Sequence, residues 1–582
     1  MRFDRVTTGA LRAEDLKFLE PRKLIAVIVA PDHGTSAMTG QREGSHSTRA
    51  RQLSAGHSRL LAALERVFPV RFERRESDEL QGIDAALVLG PSSLGQACAG
   101  VPRLLLAAGD RHETYPAQPA HTHESVGEPR VLFSSESTLQ PPLRGQTIRE
   151  SQAATAYALA PAGSGVLATI DGTPVWWRLG KGHSALETSA FTLAELGDGE
   201  ALREHLRAGR FMGLLPLVHF LQQTLGEDGW TLPPLRASFV VDDPNLHWSS
   251  YGFLNYKQLI QHATRHGYHM SFATVPLDGW LVNRKAAALF AQNTTVLSLI
   301  THGNDHVARE LGRLNDDAQA QAAIAQGLRR IAALQRRSNV AVEPILAPPH
   351  GACSEAALRA AFRLGVDAAC ISRPYPWRDN QPAASAIAGW QPADLVAGGL
   401  PVLPRYPLSA PRDDLPLRAL LGQPLILYGH HGDFREGLDV LEQATNDINA
   451  LGDVQWGSVG WIARGNYSTR NLGESLLVRM HSRRIALAPP PGATSARIFL
   501  EEPHGGASGQ RVTHPHGTLP LSFAAGVGVS EPLALESERA FELTLAADAP
   551  LSPDQIPAPA INPWPLVRRA LVEARDRLQT IL

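Results

Sequence analysis

Four short apolar runs in the middle of the chain each end in residues that bind metals or move protons. Residues 237–241 (ASFVV) run into Asp242-Asp243-Pro244-Asn245, and 296–300 (VLSLI) into Thr301-His302-Gly303-Asn304-Asp305-His306. Residues 344–347 (PILA) lead to Pro348-Pro349-His350-Gly351, and 424–428 (PLILY) to Gly429-His430-His431-Gly432-Asp433. Two neutral imidazoles and a carboxylate with one open position hold a divalent ion such as zinc, and the ion brings the pKa of its water towards neutrality. Adjacent aspartates can divide the labour, with Asp243 as metal ligand and Asp242 as the base beside the water. His302 and His306 are the matching imidazoles. A histidine across the site, His430 or His431, can protonate a departing amine as general acid. Asn245, His350, His431 and Asp433 share these strand ends and are the candidate substrate contacts.

Residues so far apart in sequence meet only if the elements before them converge. Apolar runs at 237–241, 270–274, 296–301, 344–347, 366–371 and 424–428 alternate with helical patterns at 318–335, 354–364 and 438–448. Such a βα series builds a barrel of parallel strands whose C-terminal ends open on one active-site face. Other pairs of the same residue types lack that position. His262 and His266 lie inside a helical stretch with no carboxylate at a strand end beside them, and Asp316/Asp317 and Asp413/Asp414 sit in polar, turn-like surroundings. The histidine pair reads as a decoy and the two aspartate pairs as solvated charge.

The ordered motifs resemble the polysaccharide deacetylases of the NodB-homology type. The family's TFDDG resembles residues 240–244 (VVDDP), its H(S/T)xxH resembles 302–306 (HGNDH), and its RPPxG resembles 347–351 (APPHG). The resemblance covers about 237–448 and implies a distorted (β/α) barrel, Asp242 as catalytic base, Asp243, His302 and His306 as ligands of a divalent metal, zinc being the expected one, and His430 as acid. Two departures stand out. Pro244 replaces the glycine after the aspartates, and Ala347 stands where the family has an arginine that orients the base.

The flanking sequence calls for more than one fold. The chain has 582 residues, and we expect an α/β multidomain protein: an open, doubly wound sheet at 20–130, an α+β connecting part at 131–235, the barrel at 236–450 and a β-rich part with a last helix at 451–582. A loop at 31–36 (PDHGTS) follows the first strand where such sheets bind ligands, without a phosphate-loop spacing. Residues 165–178 read as a hairpin across Asp171-Gly172, with Trp176 and Trp177 either packed or offered as a sugar platform. The 50 Gly and 43 Pro, dense in the strand-end loops and across 374–411, point to long loops, and 374–411 reads as a lid or binding connection.

Lys and Arg number 55 against 57 Asp and Glu, which gives no global electrostatic reason for a nucleic acid or an anionic membrane as partner, so any steering must be local. The 3 cysteines, Cys98, Cys353 and Cys370, form no CxxC pair, and Cys98 lacks the surroundings of a nucleophile. No signal peptide or membrane span is visible, so a cytoplasmic protein is expected. The leading expectation is a metal-dependent hydrolase removing an acyl group from an amino sugar or glycan precursor. A glycoside-active enzyme, in which Asp305 or Asp433 matters as much as Asp242, and a non-catalytic carbohydrate-binding protein on a degenerate barrel stay open.

Overall fold

The computed structural model describes residues 22–29, 53–76, 79–90, 100–106, 129–152, 160–372, 385–395, 399–501, 510–524, 527–535, 539–547, 549–560 and 562–579. The loop at 31–36, Cys98, and 374–384 and 396–398 of the long connection lie outside them. The chain divides into two compact units, one of Thr231–Asn380 with Gly389–Leu582, the other of Lys17–Trp230 with Gln381–Ala388.

The first unit holds the four motifs. Its strands β1 (Arg236–Asp242), β2 (Met270–Thr274), β3 (Leu297–Thr301), β4 (Val342–Leu346) and β5 (Ala368–Ile371) pair in parallel in that order. Residues 401–407 then do two things. β6 (Pro401–Pro404) pairs in parallel with β5, and after Arg405, β7 (Tyr406–Pro407) pairs in parallel with β8 (Leu425–Gly429), which returns to β1. The parallel sheet is thereby nearly closed and barrel-like. The connection expected across 374–411 thus contains two short strands, of four and two residues, whose brevity and three prolines hide them from periodicity.

Alternation along the strands sets the mouth. Val240, Ala273, Ile300, Ile345, Ala368, Cys370, Leu403 and Ile426 form the filled interior, while Phe239, Val241, Phe272 and Leu299 pack outward under the helices. Side chains two residues on point the same way, so Asp242, His302, Ala347 and Arg405 continue the interior rows to the open end. Helices α1 (Tyr256–His266), α2 (Arg284–Gln292), α3 (Asp317–Ser338), α4 (Glu355–Arg363), α5 (Leu415–Leu420) and α6 (Asp439–Asn449) flank the barrel. Their ends are signalled locally. Asn255 caps α1 through the amides of Lys257 and Gln258, Asp316 caps α3 through Gln319, and left-handed Gly267 and Asn339 terminate them.

The 450/451 boundary expected from the sequence cuts through this unit. Helix α7 (Val459–Arg464) puts Val459, Ile462 and Ala463 into the barrel's interior cluster, and its amides meet Ser271 and Glu343 at strand starts. The β-rich sheet beyond it, including Tyr467–Leu472, Ser475–Met480 and Ser495–Glu501, shares a core with α3 and α4 through Ile324, Leu358, Leu476, Val478 and Ile498. One continuous core leaves no separate domain there. The last described helix, α8 (Trp564–Leu578), belongs to the same unit.

In the second unit one sheet runs through both expected N-terminal parts. Val70–Arg74, Lys23–Val29, Ala85–Leu89, Arg103–Leu106 and Leu186–Ser189 are parallel neighbours, and Thr173–Leu179, Gly165–Ile170, Arg130–Phe133 and Thr147–Arg149 continue the sheet antiparallel. The 130/131 division disappears because Leu186–Ser189 pairs with Arg103–Leu106. The hairpin turns at Asp171 and Gly172, φ +48° and +77°, as two left-handed residues require. Trp176 and Trp177 are buried, and Trp176 donates to Glu187 Oε1 at 2.9 Å. They are core, with no face open to a sugar.

Candidate metal and proton-transfer site

The strand ends bring one donor set together. A carboxylate oxygen of Asp243 and one nitrogen each of His302 and His306 all lie within 4.8 Å of one another, and His306 Nε2 is 3.1 Å from Asp243 Oδ1. Three backbones leave the ordinary range to do it. Asp243 has φ +81°, His306 +54° and His350 +57°, a strain that persists only where the surroundings over-determine it. For Asp243 the positive φ breaks strand alternation, so that two consecutive aspartates serve one mouth. Gly303, φ +64°, makes the turn between the histidines where a Cβ would come within 2.1 Å of Glu310 Oε1.

The protonation states suit a cation. Burial pushes His302 and His306 down, His306 to about 3, and the charge of Asp243 only partly offsets this. Burial alone would raise Asp243, but His306 and Arg569 hold it well below the carboxylate range. His302 Nδ1 lies 2.8 Å from the carbonyl of Ala347, which fixes the tautomer and leaves Nε2 with a free lone pair. His306 Nδ1 is buried without a hydrogen-bond partner. Two neutral imidazoles and an ionised carboxylate fit zinc or a similar divalent ion.

Beside this set Asp242 is gripped by a residue that the motif reading missed. Arg405 Nη1 and Nη2 donate to Asp242 Oδ1 and Oδ2 at 2.8 and 3.0 Å, and both side chains are buried. Burial raises the carboxyl pKa, yet Arg405, with His302 and His430, carries it below the usual value. Arg405 thus sets a guanidinium against Asp242 from the end of β6, while Ala347 at the end of β4 offers no charge. Its signal was present: residues 401–404 (PVLP) form a fifth apolar run ending in a charged residue. Each oxygen of Asp242 keeps acceptor capacity beyond the arginine fork.

The remaining candidates divide. His430 is exposed at the end of β8, and His350 lies beside His306 with ring centroids 5.5 Å apart and planes tilted by 46°. Asp433 accepts the amide of His430 at 2.7 Å and so shapes the turn. His431 packs on Phe253 and faces Asp576 Oδ2 at 3.4 Å, and Asn245 is buried, donating to Glu573 Oε2 at 3.1 Å. Asp305, a candidate acid for glycoside chemistry, is ion-paired with Arg330.

Asp576 and Glu573 belong to α8, which lies against these strand ends. Arg569 joins Asp243 Oδ1 at 3.1 Å to Asp278 Oδ2 at 2.5 Å, Glu573 meets His247 Nδ1 at 2.7 Å, and Arg568 donates to the carbonyl of His306 at 2.5 Å. No strand-end pattern marks Arg569, because its partners are some three hundred residues away. A second group also forms: His262 and His266, rings 4.3 Å apart, are joined by Glu442 of α6, the carboxylate the sequence reading found missing.

No family model and no curated protein matches the chain. Among solved structures, a family 4 carbohydrate esterase from Streptomyces lividans in complex with acetate aligns at 10 % identity and TM-score 0.26, over 39 % of this chain and 94 % of that one. The peptidoglycan deacetylase PdaC of Bacillus subtilis aligns at 12 % and 0.23, over 39 % and 88 %. A CE4-family pseudoenzyme of Bacillus anthracis aligns at 11 % and 0.23, over 38 % and 67 %. At such scores the site has to be argued from its own geometry.

Proposed function

We propose that this chain is a metal-dependent hydrolase that removes the acyl group from an N-acylated amino sugar or similar glycan precursor. The observation that carries the reading is the convergence of Asp243, His302 and His306 within 4.8 Å beside a buried Asp242–Arg405 pair. Asp243, His302 and His306 would hold the cation. A divalent ion there supplies Lewis-acid chemistry, polarising an acyl carbonyl and making water more acidic. Asp242 accepts the proton from the attacking water. Arg405 keeps it ionised and fixed in orientation, at some loss of basicity. His430, exposed at the end of β8 beside β1, is placed in this reading as the acid that protonates the departing amine.

Zinc content of the purified protein, followed by hydrolysis assays on N-acetylated sugars and nucleotide sugars, tests the proposal. Turnover that disappears in Asp242→Asn supports it. A second reading, a carbohydrate-binding protein on a barrel of this kind, is favoured by the contact of Arg569 with Asp243, which sets a fixed cation against a ligand oxygen. Metal binding and sugar affinity without turnover would select it.

A further inference from the structure

Helix α8 is built inside out. Its inner face carries Arg569 and Asp576, each 3 % exposed, with Glu573 between them, and all three are paired to strand-end residues. Its outer face carries Trp564 (60 % exposed), Val567 (48 %), Leu571 (62 %) and Leu578 (58 %), with Leu566, Ala570 and Ala574 also exposed. At about 100° per residue these seven side chains span about 160° of the helix. Soluble helices turn such a face to the core, so this one is made for an apolar surface outside it.

The charges say which kind. No carboxylate lies on the outer face: the helix's two acids, Glu573 and Asp576, are both engaged inward. Arginines lie at the edges of the apolar sector, Arg568 and Arg575 just outside one edge and Arg577 at the other, by the same helical spacing. Arg575 pairs with Asp576, Arg577 with Glu573, and Arg568 donates to the His306 carbonyl; with Arg569 the helix carries four arginines against two acids. Loops that hold α8 add exposed apolar groups. Trp248 lies under the guanidinium of Arg577 at 5.4 Å, and Trp280 and Leu281 follow Asp278, the partner of Arg569. A broad apolar face with tryptophan and flanking arginines is the pattern of a helix lying in a lipid interface. A second copy fits less well, since two such helices would bring arginine borders together. No described helix is long and apolar enough to cross a membrane.

We infer that the outer face of α8, with Trp248, Trp280 and Leu281, docks the protein on an anionic lipid surface. Docked in this way, α8 brings the strand-end face of the barrel to the bilayer. The inference stands on the two faces of α8 and holds whether or not the site hydrolyses an amide.

The test uses the full chain in co-sedimentation with vesicles of phosphatidylcholine, with and without phosphatidylserine. Binding is expected to require phosphatidylserine, to fall as salt is raised, and to weaken about tenfold or more in Leu571→Glu and in Val567→Glu. Both positions are exposed, so the variants should melt with the wild type. Failure to bind phosphatidylserine vesicles at low salt overturns the inference. So does a wild-type dimer that Leu571→Glu converts to monomer, which makes the face a self-interface. A monomeric Leu571→Glu protein that melts well below wild type also overturns it, because another segment of the chain then covers the helix.

Discussion

Replacing Arg405 by methionine keeps the length and much of the packing of that side chain but strands Asp242. The two groups are 1 % and 3 % exposed and are joined by both oxygens. Deleting one partner of such a pair costs about 3–5 kcal/mol, because the other charge stays buried without compensation. Asp242→Asn alone strands the arginine and should cost a similar amount. The double variant Arg405→Met/Asp242→Asn buries no charge, so it should lose about 2–3 kcal/mol less than the sum of the single losses. Equilibrium urea unfolding followed by tryptophan fluorescence and circular dichroism, with a separate transition for each unit, measures all four corners of the cycle. The pH dependence gives a second check. In the wild type the folded Asp242 has a lowered pKa, so its contribution is present above the ordinary value of 3.8 and is lost as pH falls through the folded value. In Arg405→Met the largest charge opposing burial is gone, and with only His302 and His430 left burial raises the folded pKa above 3.8. The sign then reverses: protonation relieves a buried charge, so stability rises as pH falls through the folded value. Losses additive to within about 0.5 kcal/mol, with an unchanged acid limb, would refute the argument.

Gly303→Ala forces a Cβ at φ +64° to within 2.1 Å of Glu310 Oε1 and 2.6 Å of Pro349 Cγ; a loss of at least about 1 kcal/mol in the unfolding assay and weaker zinc binding are expected together. Docking of α8 should depend on pH in both directions. Glu573 is lowered from 4.5 to about 2, burial being outweighed by His247 and Arg577, so its contribution is lost as pH falls from 4.5 towards 2. His247 is raised above 6.5 because Glu573 and the carbonyl of Asp278 outweigh burial, so its contribution is full below 6.5 and is lost as pH rises through the folded value. Hydrogen exchange of α8 amides, corrected for intrinsic rates, should therefore be slowest between these limits, and Glu573→Gln should flatten the profile. Trp176→Phe leaves Glu187 Oε1 without its indole donor and should destabilise the second unit by about 1–3 kcal/mol, measured in the same urea experiment.

Much of the barrel is legible in the sequence because its signals are local. The strands at Met270–Thr274, Leu297–Thr301 and Leu425–Gly429 and the helices Asp317–Ser338, Glu355–Arg363 and Asp439–Asn449 coincide with their periodicities to within a few residues. The convergence of Asp243 with His302 and His306 follows from parallel strands ending on one face. What escapes is whatever depends on distant pairing. β6 and β7 are too short and proline-rich to show a period, and Arg405 went unnoticed with them. The single sheet of the second unit rests on Leu186–Ser189 crossing back to Arg103–Leu106, which no local pattern encodes. Helix α8 is visible as an amphipathic pattern, but its polar face is the buried one, the reverse of the usual rule. The pairing of Asp243 with Arg569 spans the unit and leaves no trace in either motif.

The central claim is that Asp243, His302 and His306 form a divalent-metal site. Zinc titration by calorimetry, in a His266→Ala background that disables the group formed with His262 and Glu442, tests it most directly. One bound equivalent is expected, lost in the further variant His302→Ala/His306→Ala while the unfolding transitions remain. Zinc retained after both substitutions, or no zinc bound to the parent, would contradict it.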